Sequence, residues 1–548
     1  MTMTRTPFRP VAAVGLVAAT LIYVGCGQSR PTGGNIAVAS AGAASLPPPS
    51  AEQKTQPRTK VEKPAGVEKP AGKDPLSRFA DWMAKPPAGV LLISGEQDGY
   101  LQPCGCTDGQ LGGLGRRFDL VERLRAKGWP VVGIDLGNLI HNPAGSRGGP
   151  AQERIKFDIA LKALDSMKYE AVALGPEDLK LGIGELLGML LNLKSPRFLA
   201  SNVKAAEVYE PTLRPSAIFK AGPVTLGVAA ILDPAAFEAL NDPDKAALLA
   251  IQPADAVLPG ILAGLEKGSQ LQILMVQGPI EEGRRLASKF PGFDLVVTTS
   301  KFDDPDERPE SLNGGKTLLI NVGRKGKYTG VVGFFPGSTP AVRYKRQPLS
   351  SPEFREAEPI RRLIDVDFQD ILRSVGVVEN FTRHPNVEGS PGATYAGAES
   401  CRACHPKTFE KWASTKHARA YEPLVNPKRN REHDAECISC HTTGFGYTSG
   451  WVSAEKTPNL KGNQCENCHG PGSLHNAEPD NLAYRKPMAR TAESVNKSGF
   501  CTGCHNEDND PHFTFDAYYA QIFHKGFDSY EDPKVHQGRP SKVATGSR

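Results

Sequence analysis

Net charge is nearly absent from this chain. Its 65 Lys and Arg stand against 60 Asp and Glu, leaving +5 over 548 residues, so no long-range field draws it to nucleic acid. Spare cysteine is scarce as well. Of eleven cysteines, eight sit in four copies of Cys-x-x-Cys-His, and only Cys26, Cys104 and Cys106 remain. A disulfide framework does not place its cysteines in identical pentapeptides that each end in His, so that class is set aside. Long apolar runs are missing too: the stretch Val11 to Val24 is too short to span a bilayer. Methionine is almost gone from the carboxyl-terminal third, where Met488 stands alone.

What is present begins with an export signal. Arg5 and Arg9 precede the apolar stretch, which suits the core of a signal peptide (residues 1–26). The stretch ends at "YVGCGQ", which resembles a bacterial lipoprotein signal, with Gly25 before Cys26 as the lipidated residue. Ordinary cleavage after Ala39-Ser40-Ala41, with Cys26 lost, is the alternative; either way the chain leaves the cytoplasm, and the first reading anchors it to a membrane by lipid. Residues 27–85 are rich in Pro and Ala and carry the tandem copy "VEKPAGVEKPAG". Such a segment buries too little apolar surface to offset its ordering entropy and is expected to be a disordered tether.

From Val90 the pattern turns to buried strands alternating with helices. "GVLLIS" and "PVVGIDLG" suit strands covered on both faces, and "LGRRFDLVERLRAKG" between them has helical periodicity and stops at a glycine. "VTLGVAAIL", "LQILMVQG", "GFDLVVTTS" and "KTLLINVG" supply further strands. The α/β domain is expected over residues 86–350, followed by a connecting segment, 351–394.

The strings "DGYLQP", "GGLGRR", "IDLGN", "ALDSMKYEAVALGPED", "LASNV" and "PGFDLVV" together resemble the metallophosphoesterase domain of bacterial periplasmic 5'-nucleotidases. The resemblance implies two sheets packed between helices, with strand-end loops holding two metal ions on Asp, Asn and His ligands. Those ligands are largely replaced. The chain reads Glu96-Gln97-Asp98 for Asp-x-His, Gly137-Asn138 for Gly-Asp and Gly175-Pro176-Glu177-Asp178 for Gly-Asn-His-Glu. It reads Gln277-Gly278 where a strand should end in His, and Thr299-Ser300-Lys301-Phe302 for Gly-His-x-His. The usual two-metal site cannot form; an oxygen-only site from Glu96, Asp98, Asp135, Glu177 and Asp178 is weighed against solvated or structural roles. His141 reads as a surface loop residue. Cys104 and Cys106, in the Gly-rich loop "QPCGCTDGQLGG", read either as an additional metal or redox site or as an oxidised pair pinning the loop.

The four Cys-x-x-Cys-His units carry the clearest signal. Cysteines one helical turn apart can both form thioethers to one haem, and the adjacent His coordinates its iron. A zinc ribbon needs no His after every pair. Four covalent c-type haems are therefore expected. Cys401, Cys404 and His405 hold one, and Cys437, Cys440 and His441 a second. Cys465, Cys468 and His469 hold a third, and Cys501, Cys504 and His505 the fourth.

The strings "ESCRACHPKTFEKWASTKHARAYEPL", "DAECISCHTTGFGY", "CENCHGPGSLH" and "FCTGCHNEDNDPHF" resemble the tetrahaem cytochrome c family of nitrifying bacteria, in which a member accepts electrons from hydroxylamine oxidoreductase. This module, mainly helical, is expected over 395–530, with a tail at 531–548. From His405 to His417 is about 18 Å if helical, too far for His417 to reach its own iron, so it should serve a neighbour. His475, six residues past its unit, should also cross to another iron. His524 is the third distal candidate by resemblance to the family. With Met488 the only methionine here, bis-His ligation is expected. His433 and His512 are weighed as a fourth distal ligand; by resemblance, one haem is instead five-coordinate.

Together these residues predict an exported electron carrier with redox partner proteins and no nucleic-acid partner. Alternatives are an oxidoreductase acting on a small nitrogen or sulfur compound at an open haem, and a phosphoesterase with a rebuilt metal site.

Overall fold

Alternation along single strands sorts the side chains into two interiors. In the computed structural model, Leu91 and Ile93 of the strand Gly89–Ser94 point into a core between two sheets, while Val90 and Leu92 point outward under helices. The structure describes residues 74–103, 109–385, 387, 390–426, 430–524 and 528. The signal-like segment with Cys26, most of the tether, Cys104, Cys106 and the tail from 531 lie outside the described residues.

The first sheet has seven strands, in the order Val342–Pro348, Tyr328–Phe334, Gly89–Ser94, Val131–Asp135, Tyr169–Ala173, Arg197–Leu199 and Leu213–Arg214. Its central strands are parallel, as expected for strands returned by helices. The second has six, in the order Glu310–Leu312, Thr317–Asn321, Leu295–Thr298, Leu271–Gln277, Val224–Leu232 and Ser216–Ala221. Between the sheets lie Ile134, Ala171, Val228, Met275, Val297 and Val332. The helices Leu114–Ala126 and Gly149–Ser166 cover the outer face of the first sheet, and Ala254–Gly268 and Ile280–Lys289 that of the second. This is the α/β sandwich expected from sequence, two sheets packed between helices.

Two boundaries shift. The tether ends before residue 85, because Ser77–Phe79 and Ala80–Ala84 form short helices that bury Phe79 and Trp82 completely, with Trp82 edge-on to Phe335 at 5.5 Å. The connecting segment contains a helical stretch, from Glu358 through a π-helical turn, Leu363–Phe368, to Val375. Its buried residues Ile360, Ile364, Phe368 and Leu372 recur every fourth position and make one apolar face against the helices of the first sheet.

The carboxyl-terminal module is built from short helices with few β-bridges. Its apolar interior is small: Tyr421, Leu424, Ala435, Ile438, Trp451 and Leu460 are buried, and they join the cluster under the first sheet's helices. Both modules therefore share one core.

Candidate functional site

Each Cys-x-x-Cys-His unit closes a helical turn that brings its two thiols and its imidazole together. In the first and fourth units the His backbone N–H donates to the carbonyl of the first cysteine, at 2.9 Å for His405 to Cys401 and 2.7 Å for His505 to Cys501. The second unit lies on the helix Ala435–His441, whose N-cap Asp434 accepts from Glu436 N at 3.1 Å. The third is the helix Cys465–His469, opened by a capping box between Gln464 and Asn467. Its buried Glu466 carboxylate accepts from the backbone of Ala396, Gly397 and Gly472, tying two segments to one unit.

Three of the four imidazoles of the Cys-x-x-Cys-His units face a second imidazole. His405 faces His475 with ring centres 6.4 Å apart, His505 faces His417 at 6.0 Å, and His469 faces His524 at 5.9 Å. Two imidazoles on one metal, each bonded at about 2.0–2.1 Å, have ring centres roughly 6.3 Å apart. The observed spacings leave room for one iron in each pair. Every pair joins a proximal His to a candidate from a different part of the chain, so His417, His475 and His524 each cross to another unit. No second imidazole stands against His441 among the described residues; His433 lies beside Glu432 instead.

The other ring nitrogen is held as axial ligation requires. Nδ1 of His441 meets the Ala420 carbonyl, that of His469 the Met488 carbonyl at 2.7 Å, and that of His524 the Ile522 carbonyl at 2.8 Å. As Nδ1 donates, Nε2 is left free for a metal. Met488 thus contributes its carbonyl to the site. His505 differs, since its Nδ1 meets the Asp510 carboxylate at 2.9 Å. Burial lowers the pKa of His405, His417, His469 and His475, keeping these rings in the neutral form that binds metal. The residues fit covalent haem.

The candidate metal site of the α/β domain is engaged differently. Glu96 Oε1 accepts from Asn138 Nδ2 at 2.9 Å and from Gln277 Nε2 at 3.2 Å. Asp98 pairs with Arg324 at 3.0 Å, and Glu177 with Lys180 at 2.6 Å. Asp178 accepts from the backbone N–H groups of Asn138 and Leu139, both at 2.8 Å. Asp135 accepts from Ser94 Oγ at 2.5 Å and from Gly137 N at 2.9 Å. The oxygen-only site weighed from sequence is thus replaced by internal partners, and among the described residues no group of three acidic, His or Cys side chains can hold a metal ion. Burial, with Asp98 adding to it, pushes Glu96 up to about 8, and burial pushes Asp178 up to about 8. A cavity of about 340 Å³ remains, lined by Glu96, Asp98, Asn138, His141, Glu177 and Arg324. Phe302 is 73% exposed.

Residues 400–470 match the family model for cytochrome c554 and c-prime. The carboxyl-terminal third is similar to the cytochrome c554 family. Cytochrome c-554 of Nitrosomonas europaea is 28% identical over 136 residues, which span 21% of this chain and 58% of that protein. Among solved structures, the 5'-nucleotidase precursor from Thermus thermophilus aligns with a TM-score of 0.43 at 15% identity, over 59% of this chain and 66% of that one. The calcineurin-like phosphoesterase YfkN from Bacillus subtilis aligns with a TM-score of 0.42 at 17% identity, over 52% of this chain and 98% of that one.

The cytochrome c554-like module is fastened to the α/β domain at its second and fourth units. Gln152 donates to the cap residue Asp434 at 2.8 Å and accepts from Ala435 N at 3.0 Å, so it grips the start of the second unit's helix. Lys156 reaches Glu436 at 2.5 Å and Glu153 at 3.4 Å. Burial works against this ammonium, but the two carboxylates outweigh it and raise its pKa. Arg147 lies 3.3 Å from Cys440 Sγ and also bonds the carbonyl of Gly503. Sequence reasoning missed Arg147, Gln152, Lys156 and Asp510, because nothing in their local pattern sets them apart from ordinary surface polar residues.

Proposed function

We propose that this chain is an exported multihaem c-type cytochrome that passes electrons through four covalently bound haems, with a phosphoesterase-like domain that has lost its metals. The observation that supports this best is the set of three opposed imidazole pairs, each at a spacing suited to one iron. Cys401, Cys404, Cys437, Cys440, Cys465, Cys468, Cys501 and Cys504 would form the thioethers, and His405, His441, His469 and His505 would be proximal ligands. His475, His417 and His524 would close three of the irons from the other side. Bound haem supplies a one-electron Fe(III)/Fe(II) couple. The protein holds the axial rings in one tautomer through the carbonyls of Ala420, Met488 and Ile522, and so limits reorganisation when charge arrives.

Export to the periplasmic side, with a lipid anchor at Cys26, is part of the same reading and is supported by sequence. Redox partner proteins follow from the carrier role, and the phosphoesterase-like domain serves as a docking or binding module. A pyridine haemochrome assay should count four haems per chain in cells with working haem-attachment machinery; a count clearly below four would refute the reading. His441 favours a second reading, because it lacks an opposing imidazole among the described residues. Its haem would then be open to a small nitrogen or sulfur compound. Stopped-flow reduction with and without hydroxylamine, nitrite or sulfite separates the two: rates unchanged by all three leave the carrier alone.

A further inference from the structure

We propose that Asp510 is a positioning residue that lowers the reduction potential of the haem held by Cys501 and Cys504, and that the phosphoesterase-like domain fixes Asp510 by clamping the loop that carries it. This rests on the haem reading above and extends it to a function for the amino-terminal domain.

The first observation is the difference among axial rings. His441, His469 and His524 donate from Nδ1 to neutral carbonyls, whereas His505 donates to a carboxylate, Asp510 Oδ2, at 2.9 Å. Asp510 is 8% exposed, and its other oxygen accepts from Tyr518 OH at 3.2 Å. Its backbone is set by Asp510 N to Asn506 O at 2.7 Å. His505 is also stacked on Phe513, with ring centres 5.1 Å apart and planes at 16°. The ring is therefore packed on one face while its Nδ1 is hydrogen-bonded to Asp510. A hydrogen bond to a charged acceptor is roughly twice as strong as one to a neutral carbonyl. It draws the Nδ1 proton toward Asp510 and makes Nε2 a stronger donor to iron, which favours Fe(III) over Fe(II). An electron supplied by a neighbouring ferrous haem would take that iron from Fe(III) to Fe(II), with the proton kept on His505 Nδ1. No bond breaks.

The second observation is what holds the loop. Asp508, two residues before Asp510, receives Tyr100 OH at 2.7 Å and Lys325 Nζ at 2.9 and 3.0 Å. Gln110 donates to its backbone carbonyl. All three side chains come from the phosphoesterase-like domain. Lys325 is itself pinned, since its backbone N–H donates to the Glu96 carbonyl at 2.7 Å, beside the cavity of the former metal site. Arg324, the adjacent residue, pairs with Asp98 in that cavity. The surviving strand-end loops of a dismantled metal site have thus become the clamp on a haem ligand's partner.

The test is spectroelectrochemical titration of the full-length holoprotein, with the haem count measured separately by pyridine haemochrome. Asp510→Asn should raise one of the four midpoints, shifting its electron-exchange constant with the other haems at least tenfold, about 59 mV for one electron. The other midpoints should stay, and one low-spin electron paramagnetic resonance signal should change its g-spread. A Tyr100→Phe, Lys325→Met double variant should move the same midpoint upward by less. Four haems with unchanged midpoints in Asp510→Asn would overturn the role of Asp510. A shift in Asp510→Asn with none in the double variant would overturn the clamp. If Asp510→Asn loads fewer than four haems, Asp510→Glu decides: its longer carboxylate should shift the same midpoint, and unchanged midpoints there would overturn the proposal.

Discussion

At the scale of single residues, the two modules use histidine and carboxylate in opposite ways. In the α/β domain, side chains that could hold metal have acquired protein partners, and Glu96 pays a proton for its burial. Its pKa in the fold is pushed up to about 8 from an ordinary 4.5, so between those values the folded state holds a proton that the unfolded chain has released. Stability should therefore fall as pH rises through this window, by at most about 1.4 kcal/mol per pH unit from this one group. Glu96→Gln should flatten the slope, read from denaturant midpoints of the holoprotein at pH 5, 6, 7 and 8; a slope equal to that of the parent would disprove the assignment. In the cytochrome c554-like module the informative residue is His417. Its ring stands 6.0 Å from that of His505, so His417→Ala should open one iron. One low-spin signal should be replaced by a high-spin one at low temperature with the haem count unchanged, and retention of every low-spin signal would end the pairing.

At the scale of elements, the helix Gly149–Ser166 links the domains. Its Lys156 stands between Glu153, which is fully buried, and Glu436 of the second unit's helix, which is partly exposed. Removing one member of a buried ion pair leaves the other charge uncompensated, and Lys156→Met should cost about 3 kcal/mol of unfolding free energy. Adding Glu153→Gln should restore part of that loss, and equal stability of single and double variants would argue against the pair. Elements whose chemistry is written in one local stretch were legible from sequence. The strands "GVLLIS" and "PVVGIDLG" and the four Cys-x-x-Cys-His turns needed no distant partner to be read. The helical stretch Glu358–Val375 was read only as part of a connecting segment, although Ile360, Ile364, Phe368 and Leu372 carry a helical period. Distal histidines were only partly legible. Spacing could exclude His417 and His475 from their own irons, but which unit each reaches depends on how loops pack. Arg147 and Asp510 had no local signature at all, since their roles exist only through residues hundreds of positions away or through a neighbour's ring nitrogen.

At the scale of the whole molecule, one chain combines a sandwich whose metal positions are engaged internally with a module whose interior is sparse in side chains. No helix among the described residues is long and apolar enough to cross a membrane. A nucleotide or phosphodiester assay with added divalent cations should give no turnover, together with no tightly bound metal pair in elemental analysis of the amino-terminal domain; two bound ions with turnover would reverse this. Among the described residues, Trp451 is the only one of the carboxyl-terminal module among the largest fully buried side chains. Chains made without haem attachment should therefore keep a protease-resistant core from about residue 74 to 378 while residues beyond 395 are digested, and equal resistance of both parts would count against it. The contact of Arg147 with Cys440 and Gly503 then bears on how the molecule is made. If the chain is exported as proposed, the α/β domain would emerge first and could fold before either unit appears. Once the second unit's helix seats on Gln152 and Lys156, the approach to its thiols narrows, so maturation should have an order: attachment at Cys437 and Cys440 comes before docking. Pulse-labelled chains should show haem on that unit before the two modules become protected together, and docking that precedes attachment would reverse the sequence of assembly.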